Sequence, residues 1–163
     1  MMSLSETFAQ ELQQEAVATR KMLARVPQDA FDWQPHEKSM PLGRLAGHIA
    51  ELPSLAGPIL TMDELDFSGF MPFRPASVSE LVERFDKNIA DAVKQLQNQP
   101  DEHLSKPWRL LSGGKVFFEM PRVAFIRTML LNHLIHHRGQ LSVYLRLRGV
   151  PLPSVYGPTA DEA

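Results

Sequence analysis

The segment between Pro121 and Gly149 carries the longest helical periodicity in the chain, and it constrains the fold more than any other feature. Its stripe recurs at alternating intervals of three and four residues and consists of Val123, Ile126, Leu130, His133, His137, Gln140, Tyr144 and Leu147. This spacing places the side chains on one face of an α-helix. Because Pro opens the segment and Gly followed by Pro closes it, the boundary signals also indicate one long helix.

Three earlier segments show the same spacing and predict three further helices. The stripe of the first lies before Pro27 and consists of Phe8, Leu12, Ala16, Thr19, Leu23 and Val26. The stripe of the second consists of Leu45, His48, Leu52, Leu55 and Ile59. Because Pro53 and Pro58 lie inside this segment, we expect a kink or an early end. The stripe of the third follows a capping box at Ser77, stops before Pro100, and consists of Val78, Val82, Phe85, Ile89, Ala92 and Leu96.

Four amphipathic helices joined by connections of moderate length predict an all-α fold, a four-helix bundle. Residues 61–76 contain Gly and Pro and are expected to form a loop. Residues 107–111 and 115–118 flank Ser-Gly-Gly, a pattern typical of a short β-hairpin before the last helix. An irregular loop anchored by Trp108 and Phe117 is the alternative. The 163 residues suffice for one domain, which we expect to span residues 1–163.

The composition excludes several classes of function. The chain has no cysteine, which excludes disulfide frameworks, Cys-ligated zinc, iron–sulfur clusters and thiol nucleophiles. Its net charge of −2 provides no basic surface, so nucleic-acid binding is not expected. No apolar stretch has the length that a signal peptide or a membrane helix needs, so we expect a cytoplasmic protein without membrane contact.

Histidine interrupts two of the apolar stripes. His133 and His137 lie about 40° apart on one face of the last helix, and His48 lies between Leu45 and Leu52 in the second. Burial of three imidazoles costs roughly 1–3 kcal/mol for each unsatisfied group, and a divalent ion removes that cost by accepting one lone pair from each ring. Three protein ligands leave a coordination position open, which is typical of catalytic sites. Core histidines held by hydrogen bonds are the alternative interpretation.

Other polar residues near these stripes give weaker indications. Glu51 follows His48 by three residues, so it could orient a ligand, act as a general base, or lie at the rim of the site. Gln140 and Tyr144 share the stripe of His137 and could hydrogen-bond a ligand, with a core position as the alternative for the tyrosine. The remaining histidines are expected beside the stripe or in solvent, and they are His136, His36 and His103.

Two motifs resemble signatures of DinB/YfiT-like proteins. Residues 35–53, PHEKSMPLGRLAGHIAELP, are similar to the second-helix motif of that family, and residues 132–141, NHLIHHRGQL, are similar to its last-helix motif. The closing sequences GVPLP at 149–153 and YGP at 156–158 also resemble family members. The match runs through most of the chain in order. The resemblance implies a four-helix bundle with a divalent-metal site on His48, His133 and His137.

The resemblance also implies a function. Members of the family are described as metal-dependent enzymes, many form homodimers, and some relatives transfer low-molecular-weight thiols or isomerise thiol adducts. We therefore expect a metal-dependent hydrolase or thiol transferase that acts on a small-molecule substrate through a Zn, Ni, Fe or Mn ion. The alternative is a metal-stabilised bundle that binds a partner or small ligand in a stress response without catalysis. DNA binding in such a response is disfavoured by the pI of about 6.3.

Overall fold

The structure is a computed structural model that describes residues 2–162. Most of these residues are helical, and the α-helices are α1 (Leu4–Leu23), α2 (Leu42–Glu51), α3 (Ala56–Thr61), α4 (Val78–Leu96), α5 (Asp101–Ser105), α6 (Arg122–Phe125) and α7 (His133–Leu147). Short 3₁₀-helices cover Gln28–Ala30 and Leu52–Leu55, and a π-helix, Ile126–Asn132, joins α6 to α7. A sheet of order β1-β2-β3 consists of β1 (Glu64–Asp66), β2 (Pro107–Ser112) and β3 (Lys115–Pro121). Within residues 2–162, no helix combines the length and the apolar composition needed to cross a membrane.

Helix α1 forms where the first stripe predicts it. A capping box starts it, because Ser3 Oγ accepts a hydrogen bond from the N–H of Glu6 and the Glu6 carboxylate accepts one from the N–H of Ser3. All six residues of the predicted stripe are buried. Helix α1 uses this face to pack against α4 and α7.

A buried arginine ties α7 to α1 and to the C-terminal tail. The guanidinium of Arg138 lies 2.5 Å from the Glu15 carboxylate of α1 and donates a hydrogen bond of 2.6 Å to the hydroxyl of Tyr156. It also donates to Thr19 Oγ1 at 3.3 Å. Because Arg138 follows His137 directly, these contacts fix the rotation of α7 about its own axis.

The two prolines interrupt the second helical segment, as predicted. Helix α2 ends at Glu51, a 3₁₀ turn follows with Pro53 near its start, and α3 then contains Pro58. Leu45, Leu52 and Ile59 of the stripe stay buried across these changes. The break therefore changes the path of the chain without exposing the apolar face.

Helix α4 has a buried face that is rotated from the predicted one. Ser77 Oγ caps it by accepting a hydrogen bond of 3.1 Å from the N–H of Glu80. Three residues of the predicted stripe, Val78, Val82 and Ile89, are only half-buried. The buried residues of the helix are Leu81, Phe85, Asn88, Ala92, Val93 and Leu96. The apolar pattern does not indicate this rotation, because the buried face includes the polar residue Asn88. The side-chain amide of Asn88 donates a hydrogen bond of 2.8 Å to the carbonyl of Ala50.

A β-hairpin, not an irregular loop, precedes the last helical segment. Strands β2 and β3 are antiparallel, and Gly113 and Gly114 have φ values of 58° and 75°. Residues without a side chain adopt these left-handed values readily, and two-residue hairpin turns require them. Trp108 is buried and donates from Nε1 to the carbonyl of Pro58 at 3.1 Å, whereas Phe117 is exposed. The hairpin is therefore anchored through Trp108.

The expectations of an all-α fold and of a loop at residues 61–76 need correction, because β1 lies in that stretch. Strand β1 pairs in parallel with β2, with Leu65 opposite Leu110. A strand of three residues is too short to show the alternating pattern that identifies a strand in a sequence. The fold is mostly helical with a small three-stranded sheet, and its helices are divided more finely than the four predicted segments.

Asp66, the last residue of β1, stabilises the turn between β2 and β3. Its carboxylate accepts hydrogen bonds from the N–H groups of Ser68, Gly114 and Gly113, and these bonds lower the pKa of Asp66 to about 2. We expect the variant Asp66→Asn to increase amide hydrogen exchange at both glycines at least about threefold, because a neutral amide is a weaker acceptor. NMR exchange rates test this, with Asp29→Asn as the control, and unchanged rates in Asp66→Asn would contradict it.

The π-helix changes the register of the last helical segment. Ile126 and Leu130 of the predicted stripe are buried, but Leu147 at its far end is exposed. The buried leucines beyond the π-helix are Leu134, Leu141 and Leu145. A π turn contains an extra residue, so a stripe extrapolated at intervals of three and four drifts off the buried face.

Gly149 ends α7, as predicted. Its φ of 70° is left-handed, and its N–H donates to the carbonyl of Arg146 at 3.0 Å. The N–H of Val150 donates to the carbonyl of Leu145 at 3.0 Å. These two bonds form a Schellman motif, which satisfies carbonyls that the helix end would otherwise leave free.

Candidate metal centre

The histidines of the two interrupted stripes lie on helices that pack against each other. His48 lies in the last turn of α2, and His133 and His137 lie one turn apart at the start of α7. Gly47 allows the chain at Phe73 to approach α2 closely, because a Cβ at position 47 would lie 2.7 Å from the Phe73 carbonyl oxygen. Chain segments from both sides therefore enclose the histidine cluster.

The three imidazoles converge through their Nε2 atoms. His133 Nε2 lies 2.8 Å from His137 Nε2 and 3.4 Å from His48 Nε2. One ligand atom from each of the three residues lies within 4.8 Å of the others. Within residues 2–162, no Asp, Glu or further His joins this group. The structure thus brings together the residues that the sequence predicted to face one another.

The imidazoles are neutral at pH 7. Burial, followed by the neighbouring His137 and His133, lowers the pKa of His48 to about 3. Burial also lowers the pKa of His133 and of His137. Because the side-chain oxygen of Gln140 accepts a hydrogen bond of 2.7 Å from His137 Nδ1, this nitrogen carries the proton and His137 Nε2 presents a lone pair to the cluster.

This donor set fits a divalent ion. Metal–imidazole distances of 2.0–2.1 Å and tetrahedral angles place two ligand nitrogens about 3.3 Å apart. The separation of 3.4 Å between His48 and His133 matches this value, and the pair of His133 and His137 at 2.8 Å needs an opening of about 0.5 Å. Neutral imidazoles suit Zn, Ni, Fe and Cu, so the geometry leaves the identity of the metal open.

Comparison with known proteins identifies the family of the chain. The sequence profile of the DinB family matches residues 1–163. The chain belongs to the DinB family. It is 27% identical over 169 residues to the uncharacterized protein YrdA of Bacillus subtilis. The alignment covers 99% of this chain and 93% of YrdA. The resemblance stated from the two histidine motifs is confirmed.

Solved structures of DinB-like proteins share the fold of this DinB-family chain. One from Bacillus cereus is 27% identical, with a TM-score of 0.73 over 96% of this chain and 100% of its own. Another, YjoA of Bacillus subtilis, is 19% identical, with a TM-score of 0.73 over 93% of this chain and 99% of its own. These likenesses support the mostly helical architecture with its small sheet.

Glu51 lies behind the ring of His48 in this DinB-family chain. Its Oε2 is 3.9 Å from His48 Nδ1, on the side of the ring opposite the converging Nε2 atoms. Its Oε1 accepts a hydrogen bond from the N–H of Phe73, and Arg44 lies 3.5 Å from its Oε2. Burial raises the pKa of Glu51, while the Phe73 amide and Arg44 oppose that rise. Glu51 thus lies beside the cluster without a hydrogen bond to His48, and its role as orienting group, general base or rim residue stays a prediction.

Gln140 and Tyr144 occupy different environments. Gln140 is exposed, yet its side chain contacts His137, so its place in the stripe correctly indicated a residue beside the site. The hydroxyl of Tyr144 donates to the carbonyl of Met40 at 3.2 Å, and its ring packs edge-on against Trp33. Tyr144 therefore anchors the loop before α2.

The other three histidines lie outside the cluster. His36 is exposed, as predicted, and His136, which was expected beside the stripe, is exposed as well. His103 is half-buried, and its Nε2 lies 2.8 Å from the carbonyl oxygen of Leu60, so the expectation that it faces solvent was wrong. The short helix α5 causes this difference, because it turns His103 toward the end of α3.

Residue Gln140 provides a test of the environment of the cluster. We expect Gln140→Leu to weaken metal affinity about 10- to 100-fold, because the proton on His137 Nδ1 loses its acceptor. Competition titration against a chromophoric chelator measures this affinity. Gln140→Glu keeps the acceptor and should retain binding, and Gln13→Leu on the exposed face of α1 is the matched control. An unchanged affinity in Gln140→Leu would show that this hydrogen bond plays no part.

A cavity of about 150 Å³ opens beside His48 and His133. Its lining comes from α2 and the 3₁₀ turn after it, from β1 and the chain that follows β1, from β2 and from α7, and it consists of His48, Glu51, Leu52, Ser54, Leu55, Leu65, Phe67, Phe70, Leu110 and His133. Larger surface clefts of about 480 and 600 Å³ contain none of the three clustered histidines. The small cavity is therefore the space through which a reactant would reach the cluster.

Proposed function

We propose that this DinB-family chain is a divalent-metal-dependent enzyme, a hydrolase or a thiol transferase. In this proposal, its four long helical segments act as one bundle around a metal held by His48, His133 and His137. The observation that carries the proposal is the convergence of three neutral imidazole Nε2 atoms beside a cavity. A bound divalent ion supplies Lewis-acid chemistry, which lowers the pKa of water or of a thiol.

The surrounding residues prepare the imidazoles for this task. Gln140 holds the proton of His137 on Nδ1, so that Nε2 is free to coordinate. Glu51 Oε2 lies 3.9 Å from His48 Nδ1 without a hydrogen bond between them, so it faces the side of the ring that does not point at the other two histidines. Arg44 lies beside Glu51 and compensates its charge. Of the three imidazoles, His137 is therefore the one whose Nδ1 is held by a hydrogen bond.

The cavity favours catalysis over a purely structural metal. Structural zinc sites are closed by four protein ligands, whereas catalytic sites use three and keep one position for a reactant. The three clustered histidines and the adjoining cavity fit the second arrangement. A small-molecule substrate, with a low-molecular-weight thiol among the candidates, follows from this proposal. The homodimer and the absence of nucleic-acid binding stay predictions from the resemblance and from the net charge.

A non-catalytic, metal-stabilised binding protein is the second candidate. It is favoured by the position of Glu51, whose carboxylate is engaged by the Phe73 amide and lies on the Nδ1 side of His48. In that position Glu51 does not serve as a general base toward a reactant at the Nε2 atoms. Under this alternative, the cavity holds a ligand that is not transformed.

Elemental analysis of untagged protein, purified without a nickel column, is the experiment that tests the proposal. We expect about one divalent ion per chain. The loaded protein is then assayed for ester hydrolysis and for thiol transfer, with a chelator-treated sample as the control. Turnover that disappears on chelation supports the enzyme. Metal without turnover favours the binding protein, and protein that takes up no metal contradicts both.

A further inference from the structure

We infer that the substrate carries a small, uncharged apolar group, an aryl or a short branched alkyl group, and that this group occupies the cavity beside His48 and His133. The inference rests on the proposed function, since it places the reacting end of the substrate at the histidines. It adds the chemical class of the part that does not react. Three properties of the cavity wall support it, namely composition, hydrogen bonding and size.

Beyond the histidines, the larger part of the wall is apolar. It combines the helical segment after α2 with the sheet and the chain beyond β1, and consists of Leu52, Leu55, Leu65, Phe67, Phe70 and Leu110. Leu65 and Leu110 are paired across β1 and β2, which fixes their separation. A polar or charged group placed here loses its hydration without replacement, at a cost that apolar groups avoid.

Apart from the histidines, the lining contributes two polar side chains, Ser54 and Glu51, and each of them already makes a hydrogen bond. Ser54 Oγ donates to the carbonyl of Glu51 at 2.7 Å, and Glu51 Oε1 accepts from the N–H of Phe73. Glu51 Oε2 has no hydrogen-bond partner and is buried, as are the Nδ1 atoms of His48 and His133. Among the described residues, no Lys, Arg, Asn or Gln lines the cavity. The wall therefore offers no cationic or amide side chain that would bind a phosphate or a carboxylate.

The size of the cavity sets the size of the group. Its volume of about 150 Å³ equals that of an engineered apolar protein cavity that binds benzene. At the outer end, Phe67 packs edge-on against Phe117 with ring centroids 5.6 Å apart, and Phe117 packs against Phe118. These rings are exposed and continue the apolar surface outward from the cavity. A longer substrate would extend over them.

Ligand-observed NMR with benzyl alcohol and D-xylose tests the inference on the protein as purified. We expect benzyl alcohol to bind at least about tenfold more tightly than D-xylose, because only the phenyl ring gains from burial. Leu110→Asn should weaken benzyl alcohol binding at least about fivefold, since it puts an amide in the wall. Leu111→Asn is the matched control on the same strand, because Leu111 does not line the cavity.

A second variant separates a lost site from a lost fold. Phe70 lines the cavity and is 55% exposed, so Phe70→Asn should weaken benzyl alcohol binding about threefold without lowering the thermal midpoint. Equal binding of the two probes, or equal binding by Leu110→Asn, Phe70→Asn and wild type, would overturn the inference. Elemental analysis of the same samples tests the proposed function separately. If the protein contains no metal but binds benzyl alcohol, and Leu110→Asn weakens that binding, the proposed enzyme is refuted and the inference about the apolar cavity is kept.

Discussion

His137→Ala protein is expected to lose its metal, with the content falling from about one ion per chain to less than about a tenth. His137 contributes the most buried of the three imidazoles, and its Nε2 lies 2.8 Å from His133 Nε2. Alanine leaves two ligands on separate helices, which hold an ion far more weakly than three. Elemental analysis after dialysis, with a chelator titration of the reloaded protein, measures the loss.

The neighbouring histidine provides the matched control. His136 is exposed and lies outside the cluster, although its ring is only 5.0 Å from that of His137. We expect His136→Ala to keep the stoichiometry and affinity of the wild type. Wild-type affinity in His137→Ala would refute the three-histidine site. Equal losses in both variants would indicate that α7 as a whole had been disturbed.

Arg138→Met is expected to lower the free energy of unfolding by about 3–5 kcal/mol. Arg138 is 3% exposed, and its guanidinium lies 2.5 Å from the Glu15 carboxylate. The Glu15 side chain is itself largely buried. Removal of the arginine leaves a carboxylate in the interior without a compensating charge, and this is costly. Urea denaturation followed by circular dichroism gives the change in midpoint at an unchanged slope.

Two controls separate the buried charge from the loss of packing. Arg20 pairs with Asp86 on the surface, so Arg20→Met should cost no more than about 1 kcal/mol. The double variant Glu15→Leu/Arg138→Met removes both buried charges and should recover most of the stability lost in the single variant. A double variant as unstable as Arg138→Met would show that packing, not the unpaired carboxylate, is responsible.

Local periodicity predicted the helical elements well because they bury one face each. The stripe of α1 is buried over its whole length, and the prolines of the second segment mark the break between α2 and α3. Strand β1 was not predicted because three residues are too few to show the alternation of apolar and polar side chains that identifies a strand. The π-helix escaped because a single extra residue leaves no signal beyond two adjacent buried leucines, Leu130 and Leu131.

The candidate site was predicted where it depends on position along a helix, and missed where it depends on contacts between distant segments. His48, His133 and His137 were identified because each interrupts an apolar stripe. The hydrogen bond between Glu51 and the amide of Phe73 joins residues 22 positions apart, with a 3₁₀-helix, α3 and β1 between them. Likewise, the cavity wall at Leu65 and Leu110 arises from a parallel strand pairing. Neither contact follows from spacing.

In the proposed metal site, the π-helix at Ile126–Asn132 would make metal binding and helix register interdependent. Conversion of this stretch to ordinary α-helical geometry removes one residue from the turn and rotates everything after it by about 100° around the axis. Such a rotation carries His133 and His137 away from His48. An ion that binds only the assembled cluster therefore stabilises the wider turn by mass action. In the proposed site, the π-helix therefore couples the binding of an ion on one face of α7 to the rotation of the whole helix about its axis.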